Sequence, residues 1–364
     1  MRDILENAPA PVAKAQLIAH VAPDVLVLSG LDHDHDGVAL AAFRDLIASY
    51  GHVMAHVFAF PSNAGLRTGL DMTGDGRAWG PDDTQGYGDF AGQKALAILS
   101  RFPILPEKSR DFSEFLWRDL PESLSPYAPG GSMPDPVRHG LQRLSSTGHW
   151  DVALDLPDRR HLHLLVYQAG PPVFGGRSNR NLHRNHDETA FWRHFLDGAL
   201  PMPPPDAPFV LMGGSNLDPF DGDGLHDAMR GLLAHPAVQD PQPASDGARH
   251  AAQAGASSAH QGPHVHDTVD WPQVPGPGNL RVSYILPARS LKVTGAGVLW
   301  PLPGTPESTL LGDPDDPPTR HRLVWVDIDA NGIWRAAENA SERPFSSTEP
   351  APVATAFPQL DEGA

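Results

Sequence analysis

The sequence predicts two packed sheets flanked by helices, an α/β sandwich. Two observations carry this. Short apolar runs, many of them alternating, outnumber the helical stretches. The helices also fall between groups of strands, whereas a doubly wound parallel sheet places one at nearly every crossover.

Residues 11–21 read as a helix leading into "DVLVLSG" (24–30), a buried-looking strand. A burst of aspartates and histidines follows, and then "VALAAFRDLIAS" (38–49), whose apolar spacing is that of an amphipathic helix. "AHVFAF" (55–60) and "KALAILS" (94–100) read as strands, separated by "TGDGRAWGPDDTQGYGDF" (73–90), an Ω-type loop of open function. "DVALDL" (151–156) and "HLHLLVYQ" (161–168) continue the strand pattern, and 187–198 ("DETAFWRHFLDG") forms a helix. The strand "FVLMGGSN" (209–216) then leads to a helix at 224–234. Strands at 280–288, 297–300 and 322–328 close the pattern, the last turning at Asn331-Gly332 into a hairpin. Residues 236–265 are rich in Ala, Gly, Ser and Pro and read as a mobile surface loop carrying His250, His260 and His264; the tail 343–364 reads as disordered. The prediction is one domain over 1–342.

Composition limits the function. With 27 basic and 44 acidic residues the net charge is −17, a field that repels phosphate backbones and makes non-specific nucleic-acid binding an unfavourable role. The absence of cysteine excludes disulfides, zinc–thiolate sites and cysteine nucleophiles. No run reaches the ~18 apolar residues of a membrane span. "MRDILENAPAPVAK" lacks the order of a signal peptide, so the expectation as written is cytoplasmic, or exported if the true start lies upstream.

Several stretches invite chemical readings. Asp32, Asp34, Asp36 and Gly37 reproduce the opening of a calcium loop, D-x-D-x-D-G, but the twelfth position, where a bidentate glutamate belongs, is Phe43. A solvated strand-to-helix turn is the favoured reading. "DGDG" (221–224) reads as a turn before a helix rather than a metal loop. His149 in "GHWD" is balanced between the cleft and the core, and "RNLHRNHDE" (180–188) between a ligand cleft and a structural loop capped at Asp187.

Three stretches in order decide the family reading: "FVLMGGSNLDPFDGDG" (209–224), "GNLRVSYILPA" (278–288) and "TRHRLVWVDI" (319–328). With "PDVLVLSGLDHD", "GYGDFAGQKALAILSRFPI", "LSSTGHWDVALDLP" and "PPVFGGRSNRNLHRNHDETAFW", they resemble the endonuclease/exonuclease/phosphatase superfamily, the DNase-I-like metal-dependent phosphoesterases, across roughly residues 20–330. The resemblance implies a four-layer α/β sandwich of two mainly antiparallel sheets. It also implies hydrolysis of phosphoric esters by Mg²⁺ or Mn²⁺ held by carboxylates, with a histidine as base and a second histidine and asparagines on the phosphate.

Position by position the resemblance implies a depleted site. The metal-binding Glu falls on Gly30, the catalytic His on Gln168, and the aspartates of three further motifs on Gly214, Ser283 and Arg320; Asn216 and His321 are retained. The first strand, source of another active-site Asn, would precede "RDIL"; either the start is misassigned and that strand lies upstream, or the sheet has lost it. Arg320 would put a permanent cation where the family has a carboxylate, a repulsion of about 4 kcal/mol per unit of metal charge at ~4 Å and an effective dielectric of 20. The expectation is a catalytically inactive or strongly impaired anion-binding or scaffold module, with no cofactor, in which Arg320, His149 and Asp218 contact a phosphate-containing small molecule or a protein partner. The alternative is an active divalent-metal-dependent phosphodiesterase or phosphatase with relocated ligands, Asp32, Asp218 and His149. A calcium-loop protein built on Asp32–Asp36 is the third reading.

Overall fold

The computed structural model describes residues 2–157, 160–255, 259–313 and 317–329. The chain opens with α1 (Arg2–Leu5) and α2 (Pro9–Val21), whose first turn accepts Pro9 and Pro11 because the amides there have no helical partner. β1 (Val25–Leu31) follows, then α3 (Val38–Ser49), β2 (His56–Phe58) and β3 (Ala95–Ser100). These strands form one antiparallel sheet in the order β1-β3-β2.

The second sheet takes β4 (Ile104–Asp111), β5 (His149–Asp155), β6 (His161–Gln168), β7 (Phe209–Gly214) and β8 (Ser283–Pro287) in that order. Every pairing is antiparallel except β6–β7, whose parallel crossover is made by α5 (Arg180–Leu196). A separate hairpin joins β9 (Lys292–Leu299) to β10 (Leu323–Asp329). Between them in sequence lie α4 (Pro136–Leu141), α6 (Asp227–Leu233) and α7 (Asp246–Gln253).

Alternation in the strands sorts side chains into three cores, which give four layers. Ile98 and Phe58 of the first sheet meet Trp150, Val152, Leu164 and Val210 of the second in the central core. The outer face of the first sheet, with Leu26 and Leu99, packs on Ile18, Phe43 and Ile47 of the helices. The outer face of the second, with Leu165, Leu211 and Leu286, packs on Phe191, Trp192 and Met229 of α5 and α6. This is the mixed α/β sandwich the sequence predicts.

The structure differs from the sequence reading at a few elements. β4 was not predicted: Pro106 and four charged residues mask it, a pattern tolerated because it is an edge strand whose ladder is broken between Leu105 and Arg110. α5 starts at Arg180, seven residues earlier than expected, because "RNLHRNHDE" is buried through its polar groups. Arg184 donates to the carbonyls of Gln85, Arg143, Leu144 and Ser145, and Asp187 accepts from Trp117 Nε1 and the Leu124 amide. Arg184 and Asp187 of that stretch thus serve the framework. Within 236–265, read as a loop, α7 is helical: Ser245 caps it and Ala248 is buried beside Trp300 and Val298. The hairpin expected at Asn331-Gly332 and the tail from 343 lie outside the described residues. No helix among the described residues is long and apolar enough to cross a membrane.

His149 belongs to this framework. Trp150, Val152 and Leu154 face the central core, so parity turns His149 to the opposite face, against α5. There it is 1% exposed, lies on the Trp192 ring and bonds the Glu188 carbonyl at 2.9 Å through Nε2. Burial lowers its pKa to about 4, so the folded protein holds it neutral. An unfolded chain takes up this proton below about pH 6.5 and the native state only near pH 4, so stability falls as pH drops through that window, by up to roughly 3 kcal/mol. Urea melts at pH 7 and pH 4.5 are expected to differ less in His149→Gln than in the parent, by about 2 kcal/mol; an unchanged difference would assign the acid sensitivity elsewhere.

Candidate functional site

A cavity of about 1200 Å³ is walled by residues of both sheets, α2 and β10. Gly30, Asp32, Gln168, Gly214, Ser283 and His321 all line it. Three of them form a row set by backbone register: Gln168 pairs with Gly214 across β6–β7, and Gly214 with Ser283 across β7–β8. Register partners share a face, and this row shares the face of Val166, Met212 and Ile285, which point into the space between the sheets. Equivalent ends of three adjacent strands thus present an amide, a bare backbone and a hydroxyl to the cavity.

The row is packed as it stands. A Cβ added at Gly214 would lie 2.3 Å from Gln168 Oε1, so the glutamine occupies the volume that a side chain at 214 would need. Gln168 Nε2 in turn donates to the Ala169 carbonyl at 3.2 Å. Asn216, at φ +50°, donates its own amide to the same carbonyl at 2.8 Å and so braces the loop after β7.

Gly30 stands at the end of β1 in a bulge, where the β1–β3 register shifts between Ser29 and Leu31. Its φ of +87° is one that side chains with a Cβ rarely adopt, although the space around it is open. Asp32 lies just beyond, and its Oδ1 accepts the Lys94 amide at 3.1 Å. His321 carries the Trp271 ring edge-on at 5.6 Å and keeps an exposed edge. Its backbone amide donates to Thr319 Oγ1 at 3.1 Å.

Three residues expected at the site are elsewhere. Arg320 does not line the cavity; Nη1 donates to the Asp270 carbonyl at 3.2 Å, and the Asp270 amide returns a bond to the Arg320 carbonyl. Asp218 is buried, and its carboxylate accepts from the amides of Phe220, Asp221 and Arg281, so it holds the turn after β7 to the start of β8. Burial raises its pKa. His149 lies across the second sheet from the cavity, in the core described above.

The acidic burst after β1 is likewise structural. Asp34 caps α3 by accepting the Val38 and Ala39 amides at 2.7 and 2.9 Å, which commits both its oxygens. Phe43 is buried among the helices. The calcium-loop reading does not survive this geometry. "DGDG" is a turn before α6, with Asp221 accepting the Gln261 and Gly262 amides. The loop 73–90 contributes no residue to the cavity wall.

A divalent ion of the kind the resemblance implies wants several carboxylate oxygens. The row supplies none, Asp32 supplies one, and the described residues contain no group of three or more His, Asp or Glu able to hold a metal. The residues present do not fit such an ion.

Known proteins place the fold. The endonuclease/exonuclease/phosphatase family profile matches residues 9–327, nearly all of the described chain, and the chain belongs to that family. A solved endonuclease/exonuclease/phosphatase from Beutenbergia cavernae superposes with a TM-score of 0.50 at 17% identity. The match covers 87% of this chain and 65% of that one, just under two thirds of its length. A family protein from Leptotrichia buccalis matches at 12% identity and a TM-score of 0.49, over 90% of this chain and 95% of that one. Among curated proteins no match is found.

The crowding at Gly214 gives a quantitative expectation. Gly214→Ala is expected to cost about 1 kcal/mol in a background with Gln168 and markedly less once Gln168→Ala has removed the obstructing amide. A denaturation double-mutant cycle measures this; additive effects would mean that Gln168 does not fill the space.

Proposed function

We propose that this member of the endonuclease/exonuclease/phosphatase family does not hydrolyse phosphoric esters through a metal centre, and that its cleft binds a phosphate-containing ligand through neutral hydrogen-bonding groups. The observation that carries the reading is the row Gln168–Gly214–Ser283. These three strand ends face the cavity together without a carboxylate, a base or a cation. Gln168 cannot accept a proton near neutral pH, and glycine at 214 offers no side-chain oxygen.

The binding groups differ from those expected from sequence. Arg320, with its guanidinium on Asp270, is not the anion contact, and Asn216 spends its amide on Ala169. Among the motif positions at the wall there remain the Gln168 carboxamide, the Ser283 hydroxyl and His321, and Lys14, Arg101, Arg160 and Arg322 also line the cavity. An oxyanion bound by the first three is held by hydrogen bonds alone, each worth about 0.5–1.5 kcal/mol net, which suits weak, reversible binding rather than turnover.

Relocated catalysis is left with little material. Of Asp32, Asp218 and His149, only Asp32 reaches the cavity, and its carboxylate already accepts the Lys94 amide.

The test is an assay of bis(p-nitrophenyl) phosphate and p-nitrophenyl phosphate with Mg²⁺, Mn²⁺ and EDTA, paired with binding of glycerol 3-phosphate. The expected result is no EDTA-sensitive turnover, with binding weakened about tenfold in Ser283→Ala or His321→Ala. Turnover that EDTA abolishes would overturn the first half of the proposal. Binding that ignores both substitutions would overturn the second.

A further inference from the structure

Ser283 and His321, two groups of the candidate site, hang on one buried segment. Residues 267–270 run between the start of β8 and the approach to β10. Thr268, fully buried, accepts the Val282 and Ser283 amides on its Oγ1 at 2.9 and 3.1 Å. Its carbonyl accepts the Arg322 amide at 2.8 Å, and its own amide donates to the Leu280 carbonyl at 2.8 Å. Val269 bridges to both Leu280 and His321, and the Asp270 amide donates to the Arg320 carbonyl at 2.8 Å. The segment is therefore a strap that fixes two chain segments relative to each other at the cavity wall.

The strap begins with an uncompensated acid. Asp267 is 5% exposed, and its Oδ2 has no hydrogen-bond partner. His264 Nδ1 stands 3.8 Å from that oxygen, beyond hydrogen-bond reach. The charges that act on Asp267 are those of Asp218 and Asp221, from the turn after β7. Both are fixed there as acceptors. Asp218 takes the Phe220, Asp221 and Arg281 amides, and Asp221 takes those of Gln261 and Gly262. The neighbouring cation is engaged elsewhere, since the Arg281 guanidinium forks onto Asp240 at 2.6 and 2.8 Å. His266 Nδ1 donates to the Pro243 carbonyl at 2.9 Å. Burial, and then the two carboxylates, push the Asp267 pKa up to about 8. The carboxyl is thus largely protonated at pH 7 and becomes a third buried negative charge in mildly alkaline solution.

We propose that Asp267 is a proton-operated latch on the candidate site. With its proton, the strap sits against the turn after β7 and holds Ser283 and His321 in place. Without it, repulsion from Asp218 and Asp221 lifts the start of the strap and slackens both groups. The effect on ligand rests on the phosphate-binding reading of the cleft; the effect on the strap does not. His321 itself, whose pKa burial lowers, is already neutral above pH 7 and adds no titration there.

The folded protein keeps the Asp267 proton up to about pH 8, whereas an unfolded chain releases it near pH ~4. Stability from this group therefore falls as pH rises between those values. The test compares the parent with Asp267→Asn, which keeps the shape of the protonated carboxyl and cannot ionise. Between pH 5 and pH 8 the parent is expected to lose about 5 °C more in Tm than the variant. Hydrogen exchange of the Val282, Ser283 and Arg322 amides, corrected for the intrinsic rise with pH, reads the strap directly. Their protection factors are expected to fall about tenfold from pH 7 to pH 9 in the parent and to hold in the variant. Glycerol 3-phosphate is expected to bind about tenfold more weakly at pH 9 than at pH 7, in the parent only. Protection that stays flat with pH in the parent, or that falls equally in Asp267→Asn, overturns the proposal; the first result decides it even if the variant fails to fold. Weakened protection with unchanged binding overturns the coupling to the site. Failure of glycerol 3-phosphate to bind at either pH defeats the reading of the cleft instead, and the protection factors still decide the strap.

Discussion

The ladder that joins β6, β7 and β8 governs the molecule's chemistry. One parallel and one antiparallel pairing set Gln168, Gly214 and Ser283 side by side. A slip of one residue in either would turn that row away from the cavity and send Met212 and Ile285 out of the central core with it. The packing that stabilises the sandwich and the groups that face the cleft are therefore one constraint. The register that places the row is thus fixed by the same buried side chains that hold the two sheets together.

Much of this is legible in the sequence, and the exceptions have physical reasons. β6 and α3 fall at the residues that periodicity marks, because each is bounded by turns and carries a clean apolar pattern. Gln168, Gly214 and Ser283 stand out in the sequence only through the resemblance to the family's motifs, since no periodicity marks them. Orientation is not legible. His149 starts a strand buried on both faces, and alternation alone cannot tell which face is the cleft. Arg320 sits before β10, where the direction of a long side chain follows from a tertiary partner, Asp270, some fifty residues away. Asp218 looks like a ligand in sequence, yet three backbone amides claim its carboxylate. The polar start of α5 hides a buried hub, because burial there is achieved by hydrogen bonds to carbonyls rather than by apolar side chains.

The cavity and the row belong together. The cavity wall runs from β1 and β10 to the row Gln168–Gly214–Ser283, so these elements share one space. Gly30 lies in the bulge near the end of β1, and its backbone, at φ +87°, suits glycine rather than a residue with a Cβ. A side chain with a Cβ at position 30 would therefore strain the main chain although the space around it is open.

The central claim is that this cleft is not a divalent-metal centre, and calorimetric titration of the full chain with Mn²⁺ at pH 7 addresses it most directly. The account predicts no saturable heat up to millimolar ion, because one half-committed carboxylate cannot replace the ligand set such an ion needs. One-to-one binding in the micromolar range that Asp32→Asn abolishes would contradict it.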